Sequence, residues 1–278
     1  MSVLYDCHMH SSFSTDSHAS AESMVRRAMD LGLEGICFTD HMDLDYPPFY
    51  HPDIPSAFCA DPEQVWRKIQ ALRAELQDLG SWFYIGFGLE FGMQSHLAPR
   101  FSEIARSFPL DLIIASQHLT GGLDPYFPEV WEGHTTDELI RSYYEEMYQN
   151  LQTMEEWDTL AHLDYVIRYI PDRGSLVYDS YAASCDLIDE ILLYVIRSGK
   201  CLEINTAGYK YGLEQPHPSM SILRRYRELG GSAITIGADA HAPEHIAIGF
   251  DRTRELLVSL GYRSYCVFRG RVPEEYPL

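Results

Sequence analysis

Two histidines near the N-terminus are separated by a single residue, in the run Asp6-Cys7-His8-Met9-His10. Alternate residues of a β-strand point to the same face, so His8 and His10 are predicted to project together. Two adjacent imidazoles can chelate one divalent metal ion, and Asp6 on the same face could orient one of them from behind. The alternative is a chance pair on a polar strand face, so the motif needs further ligands to indicate a metal site.

Other histidines and carboxylates recur at or near the ends of strand candidates along the chain. Active sites of β/α barrels are built from the carboxyl ends of the strands and the loops that follow them. The residues at these positions are Asp40, His41, Glu90, His118, His162, Asp239 and His241. Any one of them alone would more often be structural, but together they predict one shared metal site. Imidazoles and carboxylates without thiolates suit zinc, iron or manganese, and Glu90 has two oxygens that could bridge two ions.

The remaining histidines lie mostly in loops, where solvated side chains are the simplest interpretation. They are His18, His51, His96, His134, His217 and His245. His217, in the run Gln215-Pro216-His217-Pro218, is the one retained as a candidate substrate contact.

The elements that must position these residues are short β-rich runs alternating with longer amphipathic runs. Strands are predicted at 3–10, 35–41, 82–90, 111–118, 159–165, 201–206 and 232–241. Helices are predicted at 21–31, 62–79, 97–107, 137–156, 181–198, 220–229 and 252–260. Repeated strand–helix units favour parallel strands, and seven of them predict a barrel with one unit fewer than the usual eight. An open, doubly wound sheet is the structural alternative.

Composition places the chain among globular proteins, its length suits one large α/β barrel or two smaller domains, and its charge limits its partners. It has 278 residues, of which 46% are hydrophobic, and a formal net charge of −20. Such a surface repels phosphate backbones, which argues against nucleic-acid binding. No apolar run reaches a membrane-spanning length and no secretory signal opens the chain, so a cytoplasmic protein with reduced cysteines is expected. Two long loops rich in aromatic residues, 42–60 and 120–136, are interpreted equally well as lids over the site or as segments that pack on the barrel without a binding role. The oligomeric state is left open.

Taken together, the motifs resemble the PHP (polymerase and histidinol phosphatase) superfamily, in particular its stand-alone histidinol-phosphatase class. The resemblance spans nearly the whole chain and implies a distorted seven-stranded TIM-like barrel over residues 1–278. It also implies three divalent metal ions with three ligand sets: His8, His10, Glu90 and Asp239; Glu90, His118 and His162; and Asp16, His41 and His241. Relatives often carry His at the position of Asp16, which leaves His18 as an alternative ligand.

The resemblance further implies hydrolysis of L-histidinol phosphate, a small phosphate monoester, by a hydroxide that the metal ions activate, in histidine biosynthesis. The metal ions would make the site locally positive on an acidic protein. Arg168 and Lys210 are expected to hold the phosphate, with Gln117 and His217 as further substrate contacts. Asp239, Glu90, His241 and Arg168 are the expected catalytic residues, with Asp239 or a neighbouring histidine supplying a proton. The alternatives are another small ester, a nuclease-like activity that the acidic charge disfavours, and a non-catalytic metal-binding module.

Overall fold

Seven parallel strands, hydrogen-bonded in chain order, form the centre of the molecule. The computed structural model describes residues 3–54, 56–171 and 178–278. The strands are β1 (Tyr5–Met9), β2 (Gly35–Met42), β3 (Tyr84–Gly92), β4 (Leu112–Ser116), β5 (Thr159–Leu160), β6 (Cys201–Asn205) and β7 (Ile234–Gly237). Nearly every residue in them is buried, as expected of parallel strands covered on both faces.

The two outer strands of this sheet meet just beyond their carboxyl ends. The amide of His10 donates to the carbonyl of Ala240, and the amide of Asp239 donates to the carbonyl of His8. Met9 and Ala240 form an isolated parallel bridge at the same point. These bonds nearly close the sheet, so the predicted seven-stranded barrel is confirmed and the open-sheet alternative is wrong.

Helices cover the outside of the barrel. They are α1 (Ala21–Asp30), α2 (Pro62–Asp78), α3 (Ala98–Ser107), α4 (Thr136–Thr153), α5 (Ser180–Arg197), α6 (Ala207–Lys210), α7 (Met220–Glu228) and α8 (Phe250–Ser259). The carboxylate of Asp61 accepts from the first amides of α2, and Thr135 and Glu138 form a reciprocal cap on α4. In the described parts of the chain, none of these helices has both the length and the apolar character that crossing a membrane requires.

Two elements differ from the sequence-based expectation. The fifth strand was predicted over 159–165, but β5 ends at Leu160 and the chain continues into a 3-10 helix, Tyr165–Tyr169. The turn begins where the amide of Tyr165 donates to the carbonyl of His162. A C-terminal antiparallel hairpin, β8 (Ser264–Arg269) and β9 (Val272–Pro277), was not predicted. Most of β9 is exposed and rich in Pro and Glu, so it lacks the apolar alternation that identifies a strand.

Candidate metal centre and substrate pocket

Four side chains from three strands converge at the carboxyl end of the barrel. Nε2 of His8 lies 3.2 Å from Nε2 of His10 and 3.4 Å from Oε2 of Glu90. Oδ1 of Asp239 lies 3.3 Å from Nε2 of His10 and 3.7 Å from Nε2 of His8. A tetrahedral ion with bonds of about 2.0–2.1 Å separates its ligand atoms by about 3.3–3.4 Å. The spacing of this set therefore matches a single metal ion.

A second group of donors shares Glu90. Its Oε1 lies 3.1 Å from Nε2 of His118 and 3.0 Å from Nε2 of His162. Since Oε2 faces the first set, the two oxygens of one carboxylate point into two neighbouring sets, as expected of a bridging ligand. Nδ1 of His41, a residue assigned to the third ligand set, also lies 2.9 Å from Oε2 of Glu90.

The third group lies at the outer side of the first. Oδ2 of Asp16 is 2.9 Å from Nε2 of His241 and 3.6 Å from Nε2 of His41. The rings of His41 and His241 stack on His10, with centroids 4.2 and 4.1 Å away. Asp16 and its alternative His18 are both exposed, and Asp16 is the one that contacts His41 and His241. All nine predicted ligands thus lie in one cluster.

The polar atoms of this cluster are arranged as expected of atoms that bind a cation. Nδ1 of His241 lies 3.0 Å from the carbonyl oxygen of Asp239, which can only accept, so Nδ1 carries the proton. Nε2 of His241 then faces the Asp16 carboxylate. Oε2 of Glu90, Nδ1 of His41 and Nε2 of His241 are buried without a well-aligned hydrogen bond among the described residues, although Nδ1 of His41 lies 2.9 Å from Oε2. Buried nitrogens and carboxylate oxygens that face one another in this way are unfavourable unless protons or cations lie between them, so the residues fit divalent metal ions.

Burial and neighbouring charges shift the pKa values of the candidate ligand side chains. Burial alone would raise the pKa of Glu90, but His8, His118 and His41 hold it well below its usual value. Burial opposes protonation of His8 as well, yet the carboxylates of Glu203, Glu90 and Asp239 raise its pKa well above the usual value. Burial, together with His241 and His41, lowers the pKa of His10 to about 3. Metal ions must therefore compete with protons for the same nitrogens.

Carboxylates behind the ligands fix the orientation of the imidazoles. Oε1 of Glu203 accepts from Nδ1 of His8 at 2.6 Å, and Oδ1 of Asp43 accepts from Nδ1 of His118 at 2.8 Å. Each bond leaves Nε2 of the ring free to face the cluster. Neither carboxylate was predicted from the sequence. Asp43 could have been identified from its position, because it lies two residues after His41 and directly follows β2.

Asp6 was expected to orient one of the opening histidines, and that prediction is wrong. Its buried carboxylate accepts from the backbone amides of Ala238 and Ala247 at 2.9 and 3.0 Å. Asp6 therefore ties β1 to the end of β7, which places Asp239. Asp239 itself has a positive φ of 52°, a left-handed conformation that Asp tolerates better than most residues.

Two glycines allow the close approaches on which this arrangement depends. A Cβ atom at Gly237 would lie 2.3 Å from Cβ of His8, and one at Gly92 would lie 1.9 Å from Oδ1 of Asp43. Both distances are far below van der Waals contact. Any side chain at either position would displace a metal ligand or the carboxylate that orients one.

The cluster forms the floor of a cavity of about 420 Å³ with aromatic walls. Its upper wall comes from the two long loops, which contact each other. The rings of Tyr50 and Phe127 stack at 3.7 Å, and the hydroxyl of Tyr46 donates to Asp124 at 2.7 Å. The guanidinium of Arg168 lines the cavity beside the cluster, where its Nη2 donates to Oδ2 of Asp239 at 3.3 Å.

Comparisons with known proteins identify the family to which the chain belongs. A family model described as the PHP domain matches residues 6–207. The chain belongs to the PHP domain family. It is 30% identical to a histidinol-phosphatase of Lactococcus lactis over 266 residues, which cover 95% of this chain and 94% of the relative. It is 31% identical to a probable histidinol-phosphatase of Thermotoga maritima over 270 residues, 95% of both chains.

A solved structure resembles this PHP domain over its whole length. It is the crystal structure of histidinol phosphate phosphatase from Lactococcus lactis, complexed with zinc, L-histidinol and phosphate. The TM-score is 0.86 at 30% identity, with 98% of this chain and 99% of that chain covered. A putative histidinol phosphatase from Listeria monocytogenes, at 17% identity and a TM-score of 0.71, shares the fold.

Three of the expected substrate contacts in this PHP domain do not reach the cavity. Gln117 is fully buried, where its amide donates to the carbonyl of Leu119 and accepts from Asn150. Lys210 is exposed at the end of α6, with Nζ 5.5 Å from the ring of Tyr211. His217 is buried behind Arg168. Of the four expected substrate contacts, Arg168 is the one that lines the cavity.

Proposed function

We propose that this PHP domain hydrolyses L-histidinol phosphate to L-histidinol and phosphate at a centre of three divalent metal ions. The observation that carries the proposal is the convergence of nine candidate ligand side chains in one cluster, seven of which line the cavity together with Arg168. Two imidazole–carboxylate sets share Glu90, and a third lies against them, which supports three ions and zinc, iron or manganese as their identity. The named relatives and the zinc, L-histidinol and phosphate of the Lactococcus lactis structure support the substrate.

The chain's own residues bind and orient the phosphate ester. When bound, divalent metal ions supply a nucleophile at neutral pH and neutralise charge on phosphorus oxygens. Arg168 presents a planar, permanently charged fork to the phosphate. Its bond to Asp239 joins the phosphate-binding group to the metal ligands, so that both keep one relative position. The leaving alkoxide must gain a proton. Asp239 and His241 both line the cavity and are the candidate donors.

The rest of the cavity suits a substrate with an amine and an aromatic ring. The carboxylate of Asp124 is mostly buried in the cavity wall, where it accepts from the hydroxyl of Tyr46 and the amide of Tyr126. An ammonium group placed there would meet a fixed negative charge. Stacked aromatic side chains beside it offer faces for an imidazole ring. Both features match the two ends of histidinol.

Steady-state kinetics with the metal-loaded protein tests the proposal. The substrates are L-histidinol phosphate and a panel of phosphomonoesters that lack the amine, the imidazole or both. We expect the highest kcat/KM for L-histidinol phosphate. A preference of several orders of magnitude for another ester would replace the substrate while keeping the chemistry. Bound metal without phosphate release from any ester would favour a metal-binding module instead.

Replacing Asp124 with Asn tests the recognition of the amine. The amide keeps the size of the side chain but removes the negative charge, so KM for L-histidinol phosphate should rise about tenfold or more, as for a lost charge-assisted contact. Esters without an amine should be unaffected. Asp45→Asn is the matched control, because Asp45 lies in the loop that contacts Asp124 but is exposed and paired with His96. Equal losses on amine-bearing and amine-free esters would contradict this role.

A further inference from the structure

We propose that Asp164 and His217 are positioning residues that hold the guanidinium of Arg168 in the orientation that binds phosphate. This inference rests on the proposed function, because it concerns the phosphate-binding part of the same cavity. Neither residue lines that cavity, and both side chains are fully buried. They act on the phosphate only through Arg168.

The hydrogen bonds fix the protonation of His217. Nε of Arg168 lies 2.9 Å from Nε2 of His217. Arginine nitrogens only donate, so Nε2 must present its lone pair. Nδ1 then carries the hydrogen and donates to Oδ1 of Asp164 at 2.5 Å. Asp164 thus selects the tautomer that can accept from Arg168, and burial together with the nearby guanidinium lowers the pKa of His217 and keeps its ring neutral.

The backbone holds His217 and Asp164 in this relation. The amide and carbonyl of His217 exchange hydrogen bonds with the carbonyl and amide of Asn205, at 2.8 and 2.7 Å, at the end of β6. Oδ2 of Asp164 accepts from the amide of Ser219 at 2.8 Å. Both oxygens of Asp164 are therefore used, and the imidazole cannot turn without breaking one of these bonds.

The remaining contacts of Arg168 show what His217 prevents. The guanidinium lies over the rings of Tyr165 and Tyr211, at 4.9 and 4.6 Å from their centroids, which fixes its plane but not its rotation within that plane. Its Nη2 donates to Oδ2 of Asp239 at 3.3 Å and to Oδ1 of Asn205 at 3.4 Å. Without an acceptor for Nε, the guanidinium could turn to form a two-fold bond with Asp239. That bond would occupy the fork that phosphate needs.

A neutral imidazole suits this task better than a carboxylate in direct contact. Asp239 already pairs with Nη2, and a second carboxylate on Nε would cancel much more of the charge that attracts a phosphate dianion. With His217 between them, the Asp164 charge is one ring further from the guanidinium, so Nε is held while the positive charge remains available. The geometry therefore assigns His217 to orientation of Arg168 rather than to contact with substrate.

The test compares His217→Gln with His217→Leu in the metal-loaded protein. Glutamine can still present an oxygen to Nε of Arg168, whereas leucine cannot. We expect the Kd for inorganic phosphate, measured by calorimetry, and KM for L-histidinol phosphate to rise 10- to 100-fold in His217→Leu and less than about threefold in His217→Gln. Bound metal should stay native in both. Equal behaviour of the two variants, or a loss of metal in His217→Leu, would overturn the proposal.

A double-mutant cycle separates positioning from a general structural role. In an Arg168→Ala background, His217→Leu should cause no further weakening of phosphate binding, because the residue through which it acts is absent. Additive losses would reject the proposal. If His217→Leu fails to fold, long-range proton–nitrogen NMR of the native protein decides instead. It should show hydrogen on Nδ1 and none on Nε2 of His217, and the opposite tautomer would refute the arrangement.

These measurements distinguish the two proposals from each other. A native protein that binds inorganic phosphate but does not hydrolyse L-histidinol phosphate would disprove the substrate while the variants still test His217. A native protein that hydrolyses the ester, with phosphate binding unchanged in His217→Leu, would disprove the positioning role alone.

Discussion

Side chains that hydrogen-bond to the candidate metal ligands on the side away from the cluster determine the orientation of the ligand atoms. Glu203 makes three contacts of this kind: Oε1 accepts from Nδ1 of His8, and Oε2 accepts from the backbone amide of His162 and the side-chain amide of Asn205. One side chain therefore orients a ligand of the first set and supports the backbone of a ligand of the second. Its contribution to metal binding should exceed that of an exposed carboxylate outside the cluster.

Replacing Glu203 with Gln should weaken metal binding 10- to 100-fold. The new amide presents donors where Glu203 only accepts, so one of its three contacts is lost and His8 is no longer held in one tautomer. Competition with a chromophoric chelator measures the affinity. Glu155→Gln, an exposed change with the same chemistry, is the control and should behave as native. Native affinity in Glu203→Gln would contradict this role.

Most of the ligands could be predicted from the sequence because they lie at or near a strand end, where a barrel places its site, whereas Asp16 came only from the family resemblance. Glu203 could not, because it lies mid-strand in the apolar run of β6 and its partner His8 is 195 residues away. The same reason applies to His217. The sequence keeps it as a candidate substrate contact, and only the tertiary structure shows it buried against Arg168 and Asp164.

At the scale of elements, the termini of the helices carry strong sequence signals. Asp61 accepts from the amides of Glu63 and Gln64 at the start of α2, the helix that follows the first long loop. A bond from the Gln64 side chain, aided by these amides, lowers the pKa of the Asp61 carboxyl from its usual value of 3.8. The negative charge also interacts favourably with the helix dipole.

Asp61→Ala should lower the free energy of unfolding by about 1 kcal/mol, as for other lost N-caps. Because the folded pKa lies below the unfolded value, the stabilisation is fully present above pH 3.8 and disappears as pH falls through the lower folded value. Asp61→Asn keeps the cap but not this pH dependence. Urea unfolding of the native protein and both variants from neutral to acidic pH measures both effects. Parallel curves for the native protein and the Asp61→Asn variant would contradict the charge contribution.

Most strands and helices were predictable because apolar periodicity and helix caps agree along the chain. The exceptions have a physical cause in each case. β5 is short because the chain turns at His162 to bring the 3-10 helix carrying Arg168 over the cavity. The C-terminal hairpin is held by contacts distant in sequence, such as the bond from the amide of Gly270 to Asp111.

At the scale of the whole molecule, an acidic protein surrounds a buried cluster that requires positive charge. The formal net charge is −20, and part of it comes from cluster carboxylates that bound cations would neutralise. Ions that bind only the folded chain stabilise it by mass action, by about 2.7 kcal/mol at a free concentration 100 times Kd. The metal centre is therefore expected to contribute to folding as well as to catalysis.

Removing the metal ions with a chelator should lower the unfolding midpoint by about 5 °C or more, and added Zn²⁺ should restore it. The loss should be smaller at mildly acidic pH, because protons compete for the histidine nitrogens and the ions bind less tightly there. Scanning calorimetry of the native, chelated and reconstituted protein measures the effect. An unchanged midpoint in metal-free protein would show that the cluster does not bind ions strongly.

Anomalous X-ray diffraction from crystals of the metal-loaded protein grown with inorganic phosphate tests the proposed centre most directly. We expect three anomalous peaks inside the cluster, two of them bridged by Glu90, and a phosphate that contacts both the ions and Arg168. Peaks outside the cluster, or a phosphate bound away from Arg168, would contradict the account.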